Sequence, residues 1–285
     1  MSAAPTSVSV FGPGLMGGSL LMALRQRAPE AKLGVWARRV EAVRELEDRG
    51  LVDFGGPDAA AVAAGSQLIV LCLPVDRLKD VSAAIKDALP RGACVTDVGS
   101  VKQSVVMDLE NIFGSDFVGS HPMCGSEEAG LGAARADLYE GALCVVTPTA
   151  RSSAESLRRV RALWQTVGAR TIDMSPAEHD RAAAVVSHVP HVVAALLVEL
   201  VASADPAFRQ LCAGGFRDTT RIASGSSDLW AGILSSNREE VLASLRKFGS
   251  AAAQVERALE HNDTAALRGF LEDAVRHRAE ILSQS

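Results

Sequence analysis

The sequence predicts an α/β fold with an N-terminal, Rossmann-like doubly wound sheet and a mostly α-helical C-terminal domain. Three observations predict it. Short apolar runs alternate with helical patterns in the first half, a glycine-rich turn separates the first such run from its helix, and helical patterns dominate beyond Thr149. With 285 residues the chain is long enough for two domains, which we place at 1–150 and 151–285.

The first strand and helix enclose a dinucleotide fingerprint. Val8 to Phe11 is apolar, Gly12-Pro-Gly14-Leu-Met-Gly17 follows, and Leu15 to Ala28 has a helical pattern. Gly12 permits the tight turn, Gly14 lets the backbone approach a pyrophosphate, and Gly17 allows close packing of helix on strand. A bare glycine turn is common, but its position between strand and helix favours nucleotide binding.

The second strand, Lys32 to Trp36, ends where NAD-binding proteins usually carry an Asp or Glu for the ribose hydroxyls. Here Ala37, Arg38 and Arg39 follow. Two guanidinium groups favour a 2′-phosphate and therefore NADP, with NAD as the open alternative. The alternative interpretation is that Arg38 and Arg39 are solvated residues in the first turn of the next helix.

Further strands are predicted at Gln67 to Leu73, Ala93 to Thr96, Phe117 to Gly119 and Gly141 to Thr147. Alternation with helices predicts a parallel sheet, whose carboxyl edge binds ligands. Phe117 to Gly119 breaks into Ser-His121-Pro, so we expect His121 on an irregular turn at this edge. It is either a catalytic histidine or a capping residue.

The second half predicts helices at 152–167, 176–204, 238–259 and 265–282, with a strand at 169–173 between the first two. Ser187-His188-Val-Pro190-His191 interrupts the second helix, and the proline predicts a kink there. The histidines are functional or satisfied core residues, and no accompanying ligand pattern supports a metal. This apolar half is expected to dock against a second subunit.

Asp218 and Arg221, three residues apart, form either a surface ion pair or a site at which arginine binds a substrate carboxylate. The net charge of −5 argues against a nucleic-acid partner. We expect no membrane span, since no apolar run reaches about 18 residues. Scattered cysteines and a polar N-terminus without signal-peptide features predict a cytoplasmic protein.

Five motifs in order resemble those of the prephenate/arogenate dehydrogenase family of tyrosine biosynthesis. They are Gly-Pro-Gly-Leu-Met-Gly-Gly-Ser at 12–19, Asp-Val-Gly-Ser-Val-Lys at 97–102, Ser-His-Pro-Met-Cys-Gly-Ser-Glu at 120–127, Ser-His-Val-Pro-His at 187–191 and Phe-Arg-Asp-Thr-Thr-Arg-Ile-Ala at 216–223. Together they span nearly the whole chain. Cys124 departs from the alanine or phenylalanine usual in the family, and Ala37 with its arginines departs from members that prefer NAD.

The resemblance implies a role for each matching residue. His121 matches the catalytic histidine and Ser100 the serine that orients it and contacts the substrate hydroxyl. Glu127 and Asp218 match acidic residues of an ionic gate with the substrate-binding arginine. The substrate site is then expected to comprise Ser187, His188, His191, Arg221, Glu127, Asp218 and Trp230. The cofactor site is expected to comprise Gly12, Gly14, Leu15, Met16, Gly17, Arg38, Arg39, Leu73, Pro74 and Gly99.

The activity that the resemblance implies is oxidative decarboxylation of a cyclohexadienol, which is prephenate, arogenate or both, by hydride transfer to NADP or NAD in a homodimer. NADP use favours arogenate by analogy. Another NADP enzyme, such as a β-hydroxyacid dehydrogenase or an imine or pyrroline-carboxylate reductase, stays an alternative, since these share the glycine start and a helical second domain. A nucleotide-sensing module without catalysis is the other alternative.

Overall fold

The computed structural model describes residues 4–126 and 128–283. A five-stranded sheet with the order β3-β2-β1-β4-β5 forms its N-terminal part, and every neighbouring pair in it is parallel. The strands are β1 Ser7–Phe11, β2 Lys32–Trp36, β3 Phe54–Gly56, β4 Leu68–Leu71 and β5 Cys94–Asp97. The strand order reverses between β1 and β4, which is where a doubly wound sheet opens its ligand crevice.

Helices cover both faces of this sheet, as the almost continuously apolar strands require. Along β4, Leu68 and Val70 face one buried cluster, whereas Ile69 and Leu71 face another. The helices of this region are α1 Leu15–Arg27, α2 Val40–Asp48, α3 Ala59–Ala63, α4 Val75–Ile85 and α5 Gln103–Phe113. The predicted Rossmann-like arrangement is confirmed.

A second sheet of three strands follows, with the order β6-β7-β8. Its strands are β6 Gly119–Pro122, β7 Leu143–Thr147 and β8 Arg170–Asp173. The pairing of β6 with β7 is antiparallel, so the expectation that the parallel sheet continues through this region is wrong. A backbone bridge between Val95 and Phe117 joins the end of the first sheet to the start of the second.

The rest of the chain is mostly helical, as predicted. After α6 Ala154–Thr166 a long helical stretch begins at Pro176, where Ser175 and Glu178 form a capping box. The stretch comprises α7 Pro176–Ala183, a π-helical turn Ala184–His188 and α8 Val189–Ala202. Two shorter helices follow, α9 Gly214–Thr220 and α10 Ser227–Ser236.

By its internal contacts the chain divides into two compact units, Met1–Arg238 and Glu239–Ser285. The second unit contains most of α11 Arg238–Glu260 and all of α12 Thr264–Ser283, joined at Asn262, which adopts a left-handed conformation with φ 51°. Many of its apolar side chains are exposed, among them Phe248, Leu259, Phe270, Leu271, Val275, Ile281 and Leu282.

One stretch, Pro176–Ala202, is long and apolar enough to cross a membrane by length and composition alone. The expectation that no stretch reaches this length is therefore wrong. Length and composition are weak evidence for a span, because the core helix of a globular protein meets the same criteria. The stretch also contains His188 and His191, which are buried against neighbouring residues of the same unit.

Candidate active site

The glycine turn after β1 has the steric restrictions that a dinucleotide cradle requires. Gly12 has φ +100°, and a Cβ atom there would lie 2.4 Å from the carbonyl oxygen of Cys72. A Cβ on Gly17 would lie 2.1 Å from the carbonyl oxygen of Gly12, so helix and turn pack closely only because it is absent. A Cβ on Gly14 would meet nothing within 4 Å, which leaves this side of the turn open.

The first turn of α1 is open to an anion. Gly14 is its N-cap, no side chain caps the helix, and no acidic residue lies in the first turn. The half-buried Leu15 and Met16 begin the helix, and the Met16 carbonyl accepts a hydrogen bond from the Tyr139 hydroxyl at 2.7 Å. Backbone N–H groups at such a terminus bind phosphate oxygens, so the cradle fits the pyrophosphate of a dinucleotide.

Other predicted cofactor residues lie just after neighbouring strands. Leu73 and Pro74 follow β4, and Pro74 is the N-cap of α4. Gly99 follows β5 and donates its N–H to the Asp97 carboxylate at 2.8 Å. Arg38 and Arg39 follow β2, where both are exposed and neither pairs with an acidic side chain within residues 4–126 and 128–283.

His121 does not lie on an irregular turn, as the sequence suggested, but inside strand β6, where it stands opposite Val145 of β7. The polar and proline residues after Val118 misled the prediction, because β6 is a four-residue strand that pairs with β7 and ends at Pro122. Pro122 is tolerated here, although it has no N–H to donate, because it is the last residue of β6 and β6 is an edge strand of its sheet. His121 is buried, with 8% of its surface exposed.

A buried ionic network fixes β6 beside the end of β5. Lys102 and Asp97 are fully buried and paired, and the Lys102 ammonium also donates to the Ser120 carbonyl at 3.0 Å. Asp97 accepts the Ser120 N–H at 3.2 Å, and Trp164 donates its indole N–H to the Ser120 hydroxyl at 2.9 Å. The residue before His121 is therefore held from three sides, which restricts the position of the histidine itself.

The surroundings of His121 keep its imidazole neutral. Burial lowers the pKa of His121 well below its ordinary value, and the nearby His179, Lys102 and His188 act in the same direction. A histidine with a lowered pKa is unprotonated at neutral pH and can accept a proton.

His179 also belongs to this site, although no sequence motif marked it. Its Nε2 lies 2.8 Å from Nδ1 of His121, and its Nδ1 lies 2.7 Å from Oδ1 of Asp180. Fifty-eight positions separate the two histidines in the chain, so no local spacing could link them. The one available signal was a His-Asp pair near the start of the long apolar stretch Pro176–Ala202, since charged side chains are seldom buried without a partner.

The predicted kink near Pro190 takes the form of a π-helical turn that contains the half-buried Ser187 and ends at His188. Such turns are frequent at functional sites. His188 is fully buried, and its Nδ1 contacts the Asn237 amide nitrogen at 3.1 Å. Burial lowers the pKa of His188 to about 4, although the Asp180 carboxylate and the backbone of Ser100 oppose the shift.

His191 and Trp230 form a flat wall in the same unit. Their ring centroids are 3.6 Å apart, and the ring planes are inclined by 13°. Gly225 lies against the tryptophan edge, since a Cβ there would be 2.7 Å from Nε1 of Trp230. Burial lowers the pKa of His191. Among the described residues no partner accepts or donates a hydrogen bond at Nδ1 of His191 or at Nε2 of His188.

The remaining predicted site residues are Arg221, Asp218, Glu127 and Ser100. Arg221 is exposed at the start of the 3-10 turn that follows α9. Asp218 is exposed as well. Glu127 lies outside the described residues. Ser100 is half-buried, and no described residue hydrogen-bonds its hydroxyl.

The site residues described so far are a cradle for a dinucleotide, the neutral, buried His121 and the wall formed by His191 and Trp230. Such a set can accept a proton from a hydroxyl while a bound nicotinamide takes up a hydride. In the described ranges no group of three or more His, Cys, Asp or Glu side chains could hold a metal ion.

Comparisons with known proteins agree with this arrangement. Residues 21–173 match the profile "Prephenate dehydrogenase, nucleotide-binding domain", and residues 175–273 match "Prephenate dehydrogenase, dimerization domain". Prephenate dehydrogenase of Bacillus subtilis is 30% identical over 279 residues, covering 95% of this chain and 75% of the relative. Cyclohexadienyl dehydrogenase of Zymomonas mobilis is 30% identical over 262 residues, covering 90% and 89% of the two chains.

A solved structure has the same fold over the whole chain. Prephenate dehydrogenase from Aquifex aeolicus, in complex with hydroxyphenyl propionate and NAD+, superposes with a TM-score of 0.93 at 32% identity and covers 99% of this chain and 100% of its own. The resemblance drawn from the five motifs is confirmed, and the other NADP-enzyme families are set aside. This chain belongs to the prephenate dehydrogenase family.

Proposed function

We propose that the protein oxidatively decarboxylates a cyclohexadienol, arogenate or prephenate or both, with NADP as the preferred cofactor. The observation that carries the proposal is the buried His121, whose pKa is held well below its ordinary value by burial and by the neighbouring His179, Lys102 and His188. The bound nicotinamide supplies the hydride acceptor.

The proposed role of His121 is to accept the proton of the substrate hydroxyl. Loss of hydride leaves positive charge at the carbinol carbon, and removal of the hydroxyl proton converts that centre to a carbonyl. A neutral imidazole accepts this proton at neutral pH, whereas an imidazolium does not. The bond to the ring carboxylate then breaks to release CO2, and its electron pair enters the ring, so that the carbonyl oxygen becomes that of an aromatic phenolate, which regains a proton to give the phenol. Ser100, from the end of the neighbouring strand, is proposed to bind the same hydroxyl.

The helical side is proposed to hold the substrate. The flat His191–Trp230 wall suits contact with a planar ring, and Ser187 and His188 lie on the adjoining π-helical turn. Arg221 is proposed to bind the side-chain carboxylate, with Asp218 and Glu127 as acidic neighbours. Pairing with the ring carboxylate would stabilise the charge that decarboxylation must disperse, and such ground-state stabilisation does not accelerate the reaction.

The NADP preference is supported by Arg38 and Arg39, which are exposed beyond β2 at a position without a carboxylate. The Aquifex aeolicus relative was crystallised with NAD+, so NAD is the cofactor against which the preference must be measured. Arg38→Ala with Arg39→Ala should raise the NADP KM by about 10-fold or more and leave the NAD KM within about threefold. An equal rise for both cofactors would contradict it.

A homodimer is proposed from the exposed apolar side chains of the region that matches a dimerization domain. In the first unit these include Val185, Val186, Leu196 and Leu200. A soluble chain rarely leaves so many apolar residues uncovered, and a second copy would bury them. We further propose a cytoplasmic location, with 1–150 as the dinucleotide-binding domain and 151–285 as the substrate and dimerisation domain.

The experiment that tests the function is a steady-state assay of the purified protein with prephenate and arogenate, each with NAD and NADP. The expected result is reduction of the nicotinamide with at least one substrate, most efficiently with NADP. Absence of turnover in all four combinations would refute the proposal.

A further inference from the structure

Two buried residues that no sequence motif assigned to the site, His179 and Asp180, stand behind His121 in a continuous series of hydrogen-bonding contacts. His121 Nδ1 lies 2.8 Å from His179 Nε2, and His179 Nδ1 lies 2.7 Å from Asp180 Oδ1. His179 and Asp180 are each 2% exposed. The series runs from the proposed base to residues that are buried inside the protein.

The contacts of Asp180 determine which nitrogen of His179 carries the proton. Its Oδ1 accepts the backbone N–H of Lys102 at 2.7 Å, and its Oδ2 accepts the backbone N–H of Gln103 at 2.9 Å. Both N–H groups belong to the start of α5, where the helix favours an ionised carboxylate. An ionised carboxylate only accepts hydrogen bonds, so His179 must carry its proton on Nδ1.

A neutral imidazole has one N–H, so His179 with a proton on Nδ1 presents a lone pair at Nε2. That lone pair accepts a hydrogen bond only if His121 carries its proton on Nδ1. The lone pair of His121 then lies on Nε2, the ring nitrogen that has no part in the series. We infer that His179 and Asp180 are positioning residues that hold His121 in the tautomer whose Nε2 accepts the substrate proton.

The series also prepares His121 for the proton that it accepts. Once Nε2 is protonated, the Nδ1–H of the imidazolium still points at the lone pair of His179, and the Asp180 carboxylate lies on the far side of that ring. The proton that leaves the substrate hydroxyl stays on His121 Nε2, and no bond in His179 or Asp180 needs to break. A carboxylate held by backbone donors thus stabilises the cation through an intervening imidazole.

This inference rests on the proposed role of His121 but can fail separately from it. Nitrogen NMR of the histidine rings in the 15N-labelled protein reads the tautomer without any turnover. The expected result is a protonated Nδ1 and an unprotonated Nε2 for His121, and the same state for His179. A His121 ring protonated at Nε2 would overturn the inference even if the enzyme is active, whereas the expected tautomer in an inactive protein would refute only the proposed function.

Substitutions at His179 separate positioning from mere packing. His179→Leu removes the acceptor of the His121 Nδ1–H, and kcat should fall about 10- to 100-fold with the substrate KM within about threefold. His179→Gln offers a side-chain oxygen in place of Nε2 and should recover a clear part of that loss. Asp180→Asn removes the carboxylate and should give mixed tautomers at His179 and His121.

Ser9→Ala is the matched control, because the buried Ser9 hydroxyl of β1, in the other sheet, contacts Ser66 and the Val62 carbonyl. It removes buried hydrogen bonds without touching the series, and its kcat should stay within about twofold of the unaltered protein. If His179→Leu has the kcat of this control, the inference is wrong. If His179→Leu does not fold, the Gln variant and the NMR measurement decide.

Discussion

Protonation of the buried His188 should weaken the fold at acid pH. The side chain is fully buried, and burial lowers its pKa from 6.5 to about 4, with the Asp180 carboxylate opposing the shift and His179 adding to it. In the unfolded chain His188 takes up a proton near the ordinary pKa of about 6.5. Between these two values the unfolded state binds more protons than the folded state, so stability is intact above the unfolded pKa and falls as the pH is lowered.

The size of the effect follows from the two pKa values. Between about pH 7.5 and about pH 5, His188 alone should lower the free energy of unfolding by about 2 kcal/mol. The pKa of His121 is lowered as well, so the whole protein should lose more than this amount. His188→Asn removes one titrating group and should therefore lose about 2 kcal/mol less than the unaltered protein over the same interval.

Urea unfolding at the two pH values, at one fixed protein concentration, measures both losses. Trp36, Trp164 and Trp230 all belong to the unit that contains His188, so tryptophan fluorescence reports its unfolding. Ser9→Ala, which removes buried hydrogen bonds of the same unit but no titrating group, is the control and should lose as much stability over this pH interval as the unaltered protein. Equal losses in His188→Asn and the unaltered protein would refute the assignment of a strongly lowered pKa to His188.

Three further predictions concern the network, the cradle and the substrate arginine. Lys102→Met leaves the buried Asp97 unpaired and should lower the free energy of unfolding, measured in urea, by roughly 3 to 5 kcal/mol. The double variant Lys102→Met with Asp97→Asn should recover part of this loss. A loss below about 1 kcal/mol would contradict the pairing. Gly17→Ala places a Cβ 2.1 Å from a backbone oxygen and should weaken NADP binding at least about 10-fold in a fluorescence titration. Gly249→Ala, whose Cβ meets nothing within 4 Å, should leave binding unchanged. Arg221→Lys should raise the substrate KM about 10-fold in steady-state kinetics with kcat within about threefold, whereas a large fall in kcat at normal KM would count against a binding role.

The sequence predicted the first sheet well because its signals are local. Apolar runs of strand length, a glycine turn and a helical period follow one another, and β2 has the predicted bounds, Lys32–Trp36. The three-residue β3 was not predicted, because Phe54–Gly56 contains two glycines and lacks a strand pattern. The antiparallel β6 was placed wrongly because its pairing with β7 depends on residues more than twenty positions away.

The site was predicted where a motif marks it and missed where only the fold assembles it. His121, His188 and His191 lie in recognisable runs of residues. His179 and Asp180 do not. They are recognisable as part of the site only in the folded protein, where α7 packs against the end of β6 and the start of α5. Lys102 was part of a predicted motif, yet its complete burial beside Asp97 is a tertiary fact that no local pattern contains.

The central claim is that His121 accepts the proton of a cyclohexadienol hydroxyl in a nicotinamide-dependent oxidation. The most direct measurement compares turnover and cofactor affinity in His121→Asn with those of the unaltered protein, using whichever of prephenate and arogenate is turned over. We predict a fall in kcat on the order of 10² to 10⁴ with an NADP dissociation constant within about threefold. Near-normal turnover by His121→Asn would contradict the account.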